Sequence, residues 1–500
     1  MSDWTTTRKT AANRRRRVIF NNDGDDACLA LEPTPESFLA NRCIGLEDSH
    51  VDTISYCTCV SFDYYWHDSH IAQHFTGTHD FMFTRNHAQA FIDQGRDSLT
   101  LIIDFCRTNN LEVFWSARMN DVHDCWYPWL MPDFKKNHPE LLLWRPGDAG
   151  RPGDGTVEPH MHATSVDYGR PEVRDRQFAT IQDVCERYDI DGIELDFLRN
   201  PMYFRPNMEG KPAETSHLEI MTSFLRNIRQ MTDTIGQARG KPMLISTRVP
   251  NKLSACRYIG LDVERWIEED IIDLLIPSVE FACFTGDITE MVALGHSRNV
   301  PVYPCMSGEA MPYALPGWAG AATNIWANGA DGIESYNEFN PKHPAWHVIG
   351  KNNTLMQTDK IYAVDNMSLS MIRMHEHVVD RKGRLPLCLE TGKPTFVNLP
   401  VYDDLTHMQD TKYAILYIKL EGCSILDEIL LTLNDKSLQP DVLSASEGLS
   451  PGATGTLVIT SRVDPALVEF GKNTVGIQAN EKHREKCNTT LIELRLHVPK

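Results

Sequence analysis

Apolar runs of strand length, bounded by turn residues, recur at positions 17–21, 53–59, 112–117, 192–197, 243–247, 274–279, 302–305 and 332–336. Amphipathic patterns of helical period lie between most of them. Pro171 to Arg187 sets Val173, Phe178, Ile181, Val184 and Cys185 on one face, and Leu218 to Thr234 and Leu261 to Glu269 repeat the period. Strand and helix alternating eight times predict an α/β fold, a (β/α)8 TIM barrel over residues 18–375, whose site lies at the carboxyl ends of the strands. Strands 4 and 8 share a four-residue word, Asp191-Gly-Ile-Glu194 and Asp331-Gly-Ile-Glu334, which supports their register.

Beyond about residue 380 the pattern changes to short alternating strands at 413–421, 428–434, 455–460, 473–479 and 490–498. This predicts an accessory β-sandwich over 380–500. Leu433-Asn-Asp-Lys-Ser-Leu438 and Gly471-Lys-Asn-Thr-Val-Gly-Ile477 resemble strand and turn pieces of the sandwiches attached to carbohydrate-active enzymes. A packing module without a ligand is the favoured reading. Residues 1–17, ending in Arg14 to Arg17, read as a solvated basic tail.

The strand ends carry the candidate chemistry. In strand 4, Ile193, Leu195 and Phe197 face one side while Glu194 and Asp196 share the other, because strand side chains alternate with a period of two. A buried carboxylate is costly unless it is paired or used. The other strand ends bring Asn22 and Asp23; Arg118, Asn120, Asp121 and His123; Arg199; Arg248; Glu280; and Glu334, Tyr336 and Asn337. Trp66, Trp126, Tyr127, Trp129, Tyr203 and Phe204 are expected on the same rim, where flat apolar faces suit sugar rings. The longest connection, from Asn120 to about Arg170, follows strand 3 and is rich in Trp, His, Pro and Gly.

Composition narrows the partners. A net charge of -19 argues against nucleic acid and anionic membranes and leaves neutral or cationic small molecules and glycans. No apolar run approaches the roughly 20 residues of a membrane span, and no signal-peptide core begins the chain, so the expected location is the cytoplasm. The 13 cysteines are an odd number and sit mostly in apolar patterns, as do Cys106, Cys185, Cys283 and Cys305, which fits buried free thiols. Cys57-Thr-Cys59 has neither zinc nor redox spacing, and His160-Met-His162 lies in a Gly/Pro-rich loop, so no metal and no organic cofactor are expected.

Glycoside hydrolysis needs two carboxyl groups across an oxocarbenium-like transition state. Asp196, at the strand tip, is the first choice as nucleophile or general base. Glu194, one layer deeper, is expected to pair with Arg118 or Arg248 and so fix Asp196. Glu280, after strand 6, is the expected general acid/base ahead of Glu334 and Glu309. The other polar residues and Trp126 are expected to position the sugar. A Schiff-base aldolase would need a lysine on an inner strand face, and the strand segments have none. A glycan-binding barrel without catalysis and a metal-dependent hydrolase or lyase stay open as alternatives.

Three stretches carry a family resemblance: Tyr168-Gly-Arg-Pro-Glu-Val-Arg174, Arg187-Tyr-Asp-Ile-Asp-Gly-Ile-Glu-Leu-Asp-Phe-Leu-Arg199, and Phe114-Trp-Ser-Ala-Arg-Met-Asn-Asp121. They resemble the family-10-like glycoside hydrolases, barrel proteins of bacterial polysaccharide-degrading repertoires. The strand-4 word is also similar to that of alpha-amylase-type and alpha-galactosidase-type barrels, whose nucleophile is an aspartate at the end of strand 4. That similarity implies the same role for Asp196. The alpha-amylase pattern has an arginine two residues before its aspartate, where this chain has Glu194, so substrate and anomer do not carry over.

Overall fold

The structure, a computed structural model, describes all residues except 1, 146–147, 149–162, 279–283, 285, 309–310, 312–313, 367–384, 406–412, 424–427, 447–454, 481–486 and 498–500. A closed barrel is formed by β1 (Val18–Asn22), β2 (Val51–Cys57), β3 (Glu112–Arg118), β4 (Gly192–Asp196), β5 (Leu244–Pro250), β6 (Leu274–Ser278), β7 (Cys305–Ser307) and β8 (Ile333–Tyr336). The strands follow chain order around the ring, and β1 pairs in parallel with both β2 and β8.

Alternation combined with register stacks the inward side chains in layers. Ser116 pairs across to Glu194 and Glu194 to Ser246, while Arg118 aligns with Asp196 and Asp196 with Arg248. The lowest layer is apolar, with Ile19, Phe114, Leu244, Leu274 and Tyr303 in one buried cluster. A polar layer holding Asn21, Ser55, Ser116, Glu194 and Glu334 lies above it, and Arg118, Asp196, Arg248 and Tyr336 form the top.

The word shared by strands 4 and 8 has a structural explanation. Asp191 accepts a hydrogen bond on Oδ2 from the Val113 backbone at 2.9 Å, and Asp331 does the same from Val302 at 2.8 Å, so each aspartate fixes the start of the neighbouring strand. Glycine follows because a Cβ at Gly192 would lie 2.7 Å from the Leu244 carbonyl oxygen, and one at Gly332 would lie 2.2 Å from that of Arg16. The isoleucine then faces the helices and the glutamate the lumen.

The N-terminal segment is not a solvated tail. Helix α1 (Ser2–Ala12) covers the amino-terminal end of the barrel, where Trp4 donates to Asp233 at 3.2 Å and Arg8 pairs with Asp270 and Asp273. Arg16 is fully buried and donates to both oxygens of Glu112, at 2.6 and 2.8 Å. Glu112 opens β3 with its side chain in the barrel base, so its charge requires a buried cation. Thr53 adds a third donor at 2.8 Å.

Helix α2 (Pro171–Arg187) matches its predicted span, starts with proline at its first turn, and buries Val173, Ile181, Val184 and Cys185. Helix α3 (Thr215–Arg239) is longer than its apolar stripe predicts. A capping box between Glu214 and His217 starts it, and Gly240, at φ 71°, ends it in the left-handed conformation that glycine adopts without strain.

The C-terminal part is a β-sandwich of a six-stranded and a four-stranded sheet around Val397, Leu399, Leu416, Ile418, Val475 and Ile492. Its first strand, Lys360–Ala363, precedes the expected boundary and pairs antiparallel with the long strand Cys487–His497, Lys360 opposite Leu496. It packs on helix α4 (Leu315–Ala327), whose Asn324 donates to Pro400 and accepts from the Tyr402 backbone. Nine of the described cysteines are buried free thiols and Cys388 is an exposed one, whereas Cys423 is disulfide-bonded. Among the described residues no helix is long and apolar enough to cross a membrane.

Breaking a buried ion pair by removing one partner costs about 3–5 kcal/mol, more than the pair itself contributes. Arg16→Met is therefore expected to lower the urea midpoint of the barrel transition by that equivalent, and Arg16→Met/Glu112→Leu to regain most of it. Equal destabilisation in single and double variants would count against the pair as the closure of the barrel base.

Candidate active site

Asp196 is the last residue of β4 and is 1% exposed. Its Oδ1 accepts three hydrogen bonds, from the backbone of Leu198 at 2.9 Å, the backbone of Arg199 at 3.0 Å and Arg248 Nη1 at 2.9 Å. Among the described residues none reaches Oδ2. Arg248, fully buried, also lies 3.8 Å over the Tyr336 ring. One oxygen of the carboxyl group is thus spent on anchoring, and the other accepts no hydrogen bond among the described residues.

Beneath Asp196 lie two further carboxyl groups. Glu194 accepts on Oε1 from Asn21 at 3.1 Å and from Ser116 at 2.6 Å. Its other oxygen, and both oxygens of Glu334, are buried without a donor. Burial, then the neighbouring Glu194 and Asp196 charges, push Glu334 well above the usual carboxylate range, and Arg248 only partly offsets them. Burial and Asp196 also raise Glu194. A proton on Glu334, facing Glu194, accounts for the raised values and supplies a donor that these three orphaned acceptors lack. The expected pairing of Glu194 with Arg118 or Arg248 is not formed, because Arg248 is drawn up to Asp196 and Arg118 outward.

At the rim, Arg118 binds Asp121 at 3.0 Å and also pairs with Asp23. Asp121 Oδ1 accepts from the His123 backbone at 3.0 Å and lies 2.7 Å from His123 Nδ1, while Arg199 Nη2 meets His123 Nε2 at 2.9 Å. A guanidinium only donates, so Nε2 must accept and the imidazole proton sits on Nδ1, facing Asp121. Burial opposes ionisation of Asp121, but His123, Arg118 and Arg199 outweigh it and hold the carboxyl below its usual range.

Other predicted site residues turn out to build the walls. Asn120 is fully buried, with its amide donating to Val166 and Met202 carbonyls and its oxygen accepting from the Val166 backbone, so it clips the long connection instead of meeting a sugar. Asn22 accepts from Gly24 and Arg42 and shapes the turn after β1. Asn337, at φ 53°, turns the chain at the end of β8. Asp124 belongs to a fully buried pair with Lys135 at 2.8 Å, joined by Ser61 at 2.6 Å. Trp66, Tyr203 and Phe204 are core residues, whereas Trp126 stays half-buried with its ring centroid 6.0 Å from that of His123. Glu280, Glu309, His160 and His162 lie outside the described residues.

Two groups at the site have no signal in the local sequence. Arg42, from the connection after β1, stacks on Phe339 at 3.8 Å and pairs with Asp25. Asp26 is fully buried, and desolvation pushes it up to about 6. Among the described residues no group of three or more His, Cys, Asp or Glu side chains is placed to hold a metal ion.

Residues 61–218 match the model of a family described as Glycosyl hydrolase-like 10. The matched segment holds Arg118, Asp121, His123, Glu194, Asp196 and Arg199. No curated protein matches the chain. Similar solved structures are glycosidases. An alpha-L-fucosidase isoenzyme 2 from Paenibacillus thiaminolyticus has 14% identity and a TM-score of 0.44, over 67% of this chain and 48% of that one. The PgaB (BpsB) glycoside hydrolase domain from Bordetella bronchiseptica has 10% identity and a TM-score of 0.43, over 66% and 96%. A GH36 alpha-galactosidase, AgaA from Geobacillus stearothermophilus, has 11% identity and a TM-score of 0.36, over 99% and 58%. The chain spans about half the length of the fucosidase.

The raised Glu334 carboxyl fixes a pH dependence. Its stabilising proton is held in both folded and unfolded chains below the unfolded value near 4.5, and as pH rises from there the unfolded chain ionises first, so stability falls until the folded value is passed. Glu334→Gln keeps a donor but does not titrate. Urea midpoints from pH 4.5 to 8 are expected to show wild type losing stability relative to Glu334→Gln as pH rises; a flat or opposite difference would exclude a proton on Glu334.

Proposed function

We propose that the chain is a glycoside hydrolase acting on a neutral or cationic poly- or oligosaccharide above Asp196. The observation that carries this reading is the asymmetry of that carboxyl group: Oδ1 is held by two backbone amides and Arg248, while no such bond holds Oδ2 among the described residues. A group so fixed can meet an anomeric carbon, or a water beside it, without a reorganisation cost. The family match over the segment containing Asp196 supports the same reading.

In a retaining reaction Asp196 Oδ2 bonds to the anomeric carbon as the glycosidic C–O bond breaks, and an acid protonates the departing oxygen. Water then displaces the carboxylate, giving its proton to the same acid/base residue. In an inverting reaction Asp196 takes the proton of an attacking water instead. Glu280 is proposed as the partner from its position two residues beyond Ser278, the last residue of β6. Separations of roughly 5–5.5 Å for retention and about 6.5–9.5 Å for inversion distinguish the two outcomes. Tyr336 and Arg248 fix Asp196, and His123, Arg199 and Trp126 would face the substrate. No cofactor or metal takes part in this scheme.

A second reading, glycan binding without cleavage, has one observation in its favour. Asp23 and Asp121, two further carboxylates among the described residues at the rim, are both engaged by Arg118.

Sugar release from a panel of plant, algal and bacterial polysaccharides should fall at least 1,000-fold in Asp196→Asn, a nearly isosteric change expected to leave the fold intact, on the order of the loss expected when a transition-state group is removed. Glu280→Gln should fall comparably on native glycans and far less on aryl glycosides, whose leaving groups need little protonation. Binding with no release by wild type would favour the second reading, and undiminished release by a folded Asp196→Asn would remove Asp196 from the reaction.

A further inference from the structure

We infer that an aromatic ridge running outward from the barrel mouth is a binding surface for the chain of a neutral polysaccharide, extending the site beyond the sugar that reacts above Asp196. This rests on reading the mouth as a carbohydrate site and deepens it to a polymeric substrate. The ridge begins at Trp126, which flanks His123, itself 2.9 Å from Arg199. Tyr127 and Trp129 continue it with ring centroids 6.2 Å apart. Phe81, delivered from the connection between β2 and β3, lies 6.5 Å from Tyr127 and is 77% exposed. Trp129 in turn is stacked on His79, at 4.5 Å and an interplanar angle of 4°.

The backbone that presents Phe81 is strained to do so. Phe83 has φ 58°, a left-handed conformation that a bulky side chain rarely takes. His79 donates its backbone N–H to the Phe83 carbonyl at 3.2 Å and closes the tip. The strained turn sends the Phe83 ring inward, against Trp66 at 5.2 Å and Phe75 at 5.7 Å, and leaves Phe81 in solvent two residues earlier. A tip with no partner would gain by relaxing the turn or covering the ring, and strain of this kind is retained where it serves a site.

The chemistry of the surface selects the occupant. Pyranose rings present flat C–H faces that lie against aromatic rings, while their hydroxyls remain at the edge for water or for groups such as Asp80 and His79. The net charge of -19 disfavours polyanions. The ridge is continuous with the mouth, so a chain bound with one ring over Asp196 would run its next rings along Trp126, Tyr127 and Phe81.

Native affinity electrophoresis tests this with full-length protein in gels containing xylan, galactomannan, mixed-linkage β-glucan or dextran. The proteins are wild type, Asp196→Asn, Phe81→Ala/Tyr127→Ala and Phe81→Ser; the last alters one solvent-exposed side chain, so it stays folded if the double variant does not. At least one polymer should retard wild type and Asp196→Asn alike, and the retardation constant should weaken about tenfold in the double variant and severalfold in Phe81→Ser. Retardation by none of the polymers, or equal retardation of wild type and folded ridge variants, overturns the ridge. The two readings fail separately: ridge-dependent retardation without sugar release sinks hydrolysis alone, and release with unaltered retardation sinks the ridge alone.

Discussion

The Arg248 guanidinium is the group on which the upper half of the barrel depends. It is fully buried, it donates to Asp196, it rests on the Tyr336 ring, and it is the cation that offsets the Glu194 and Glu334 charges beneath it. Those carboxyl groups are buried from bulk solvent, so they are tolerable only with a fixed cation or a shared proton. The lumen uses both. Arg248 reaches upward to Asp196, and the lower pair is left to share a proton.

The base of the barrel meets the same constraint differently. Glu112 is buried too, but Arg16 arrives from outside the strand set and binds both its oxygens. This is why a run of four arginines, which in composition reads as a solvated tail, includes the most tightly packed cation of the amino-terminal face. Charge count alone does not distinguish a tail from a plug; the distinction lies in Glu112, 96 positions away, which the fold brings to Arg16.

Much of the scaffold was legible because its signals are local. Strand alternation and helix period depend on neighbours within one element, so eight barrel strands and α2 were placed to within a few residues, as were five of the ten described sandwich strands. The sandwich strand Lys360–Ala363 was missed because its four residues pair with a strand more than 120 positions later. Site roles were less legible for the same reason. Arg118 and Asn120 sit at a strand end as expected, yet one is committed to Asp23 and Asp121 and the other to the backbone of Val166 and Met202. The aromatic residues divided similarly: Trp66, Tyr203 and Phe204 filled the core, and Phe81, which no pattern singled out, became the most exposed large apolar side chain.

The charge arrangement bears directly on what the mouth can stabilise. At the mouth the carboxylates of Asp23, Asp121 and Asp196 are paired with the guanidiniums of Arg118 and Arg248, while Arg199 contacts His123. Beside these pairs lies an Asp196 oxygen that carries no hydrogen bond among the described residues. A glycosidic bond breaks through a transition state with positive charge on the ring, and a fixed negative environment stabilises that charge more than it stabilises the neutral substrate. An unneutralised carboxylate at Glu334 would add attraction for the transition state, but at the expense of Arg248, whose single guanidinium would then be divided among three carboxylates instead of anchoring Asp196. The proton on Glu334 therefore connects the barrel interior to its mouth: it leaves the Arg248 guanidinium directed at Asp196, the carboxylate proposed to react.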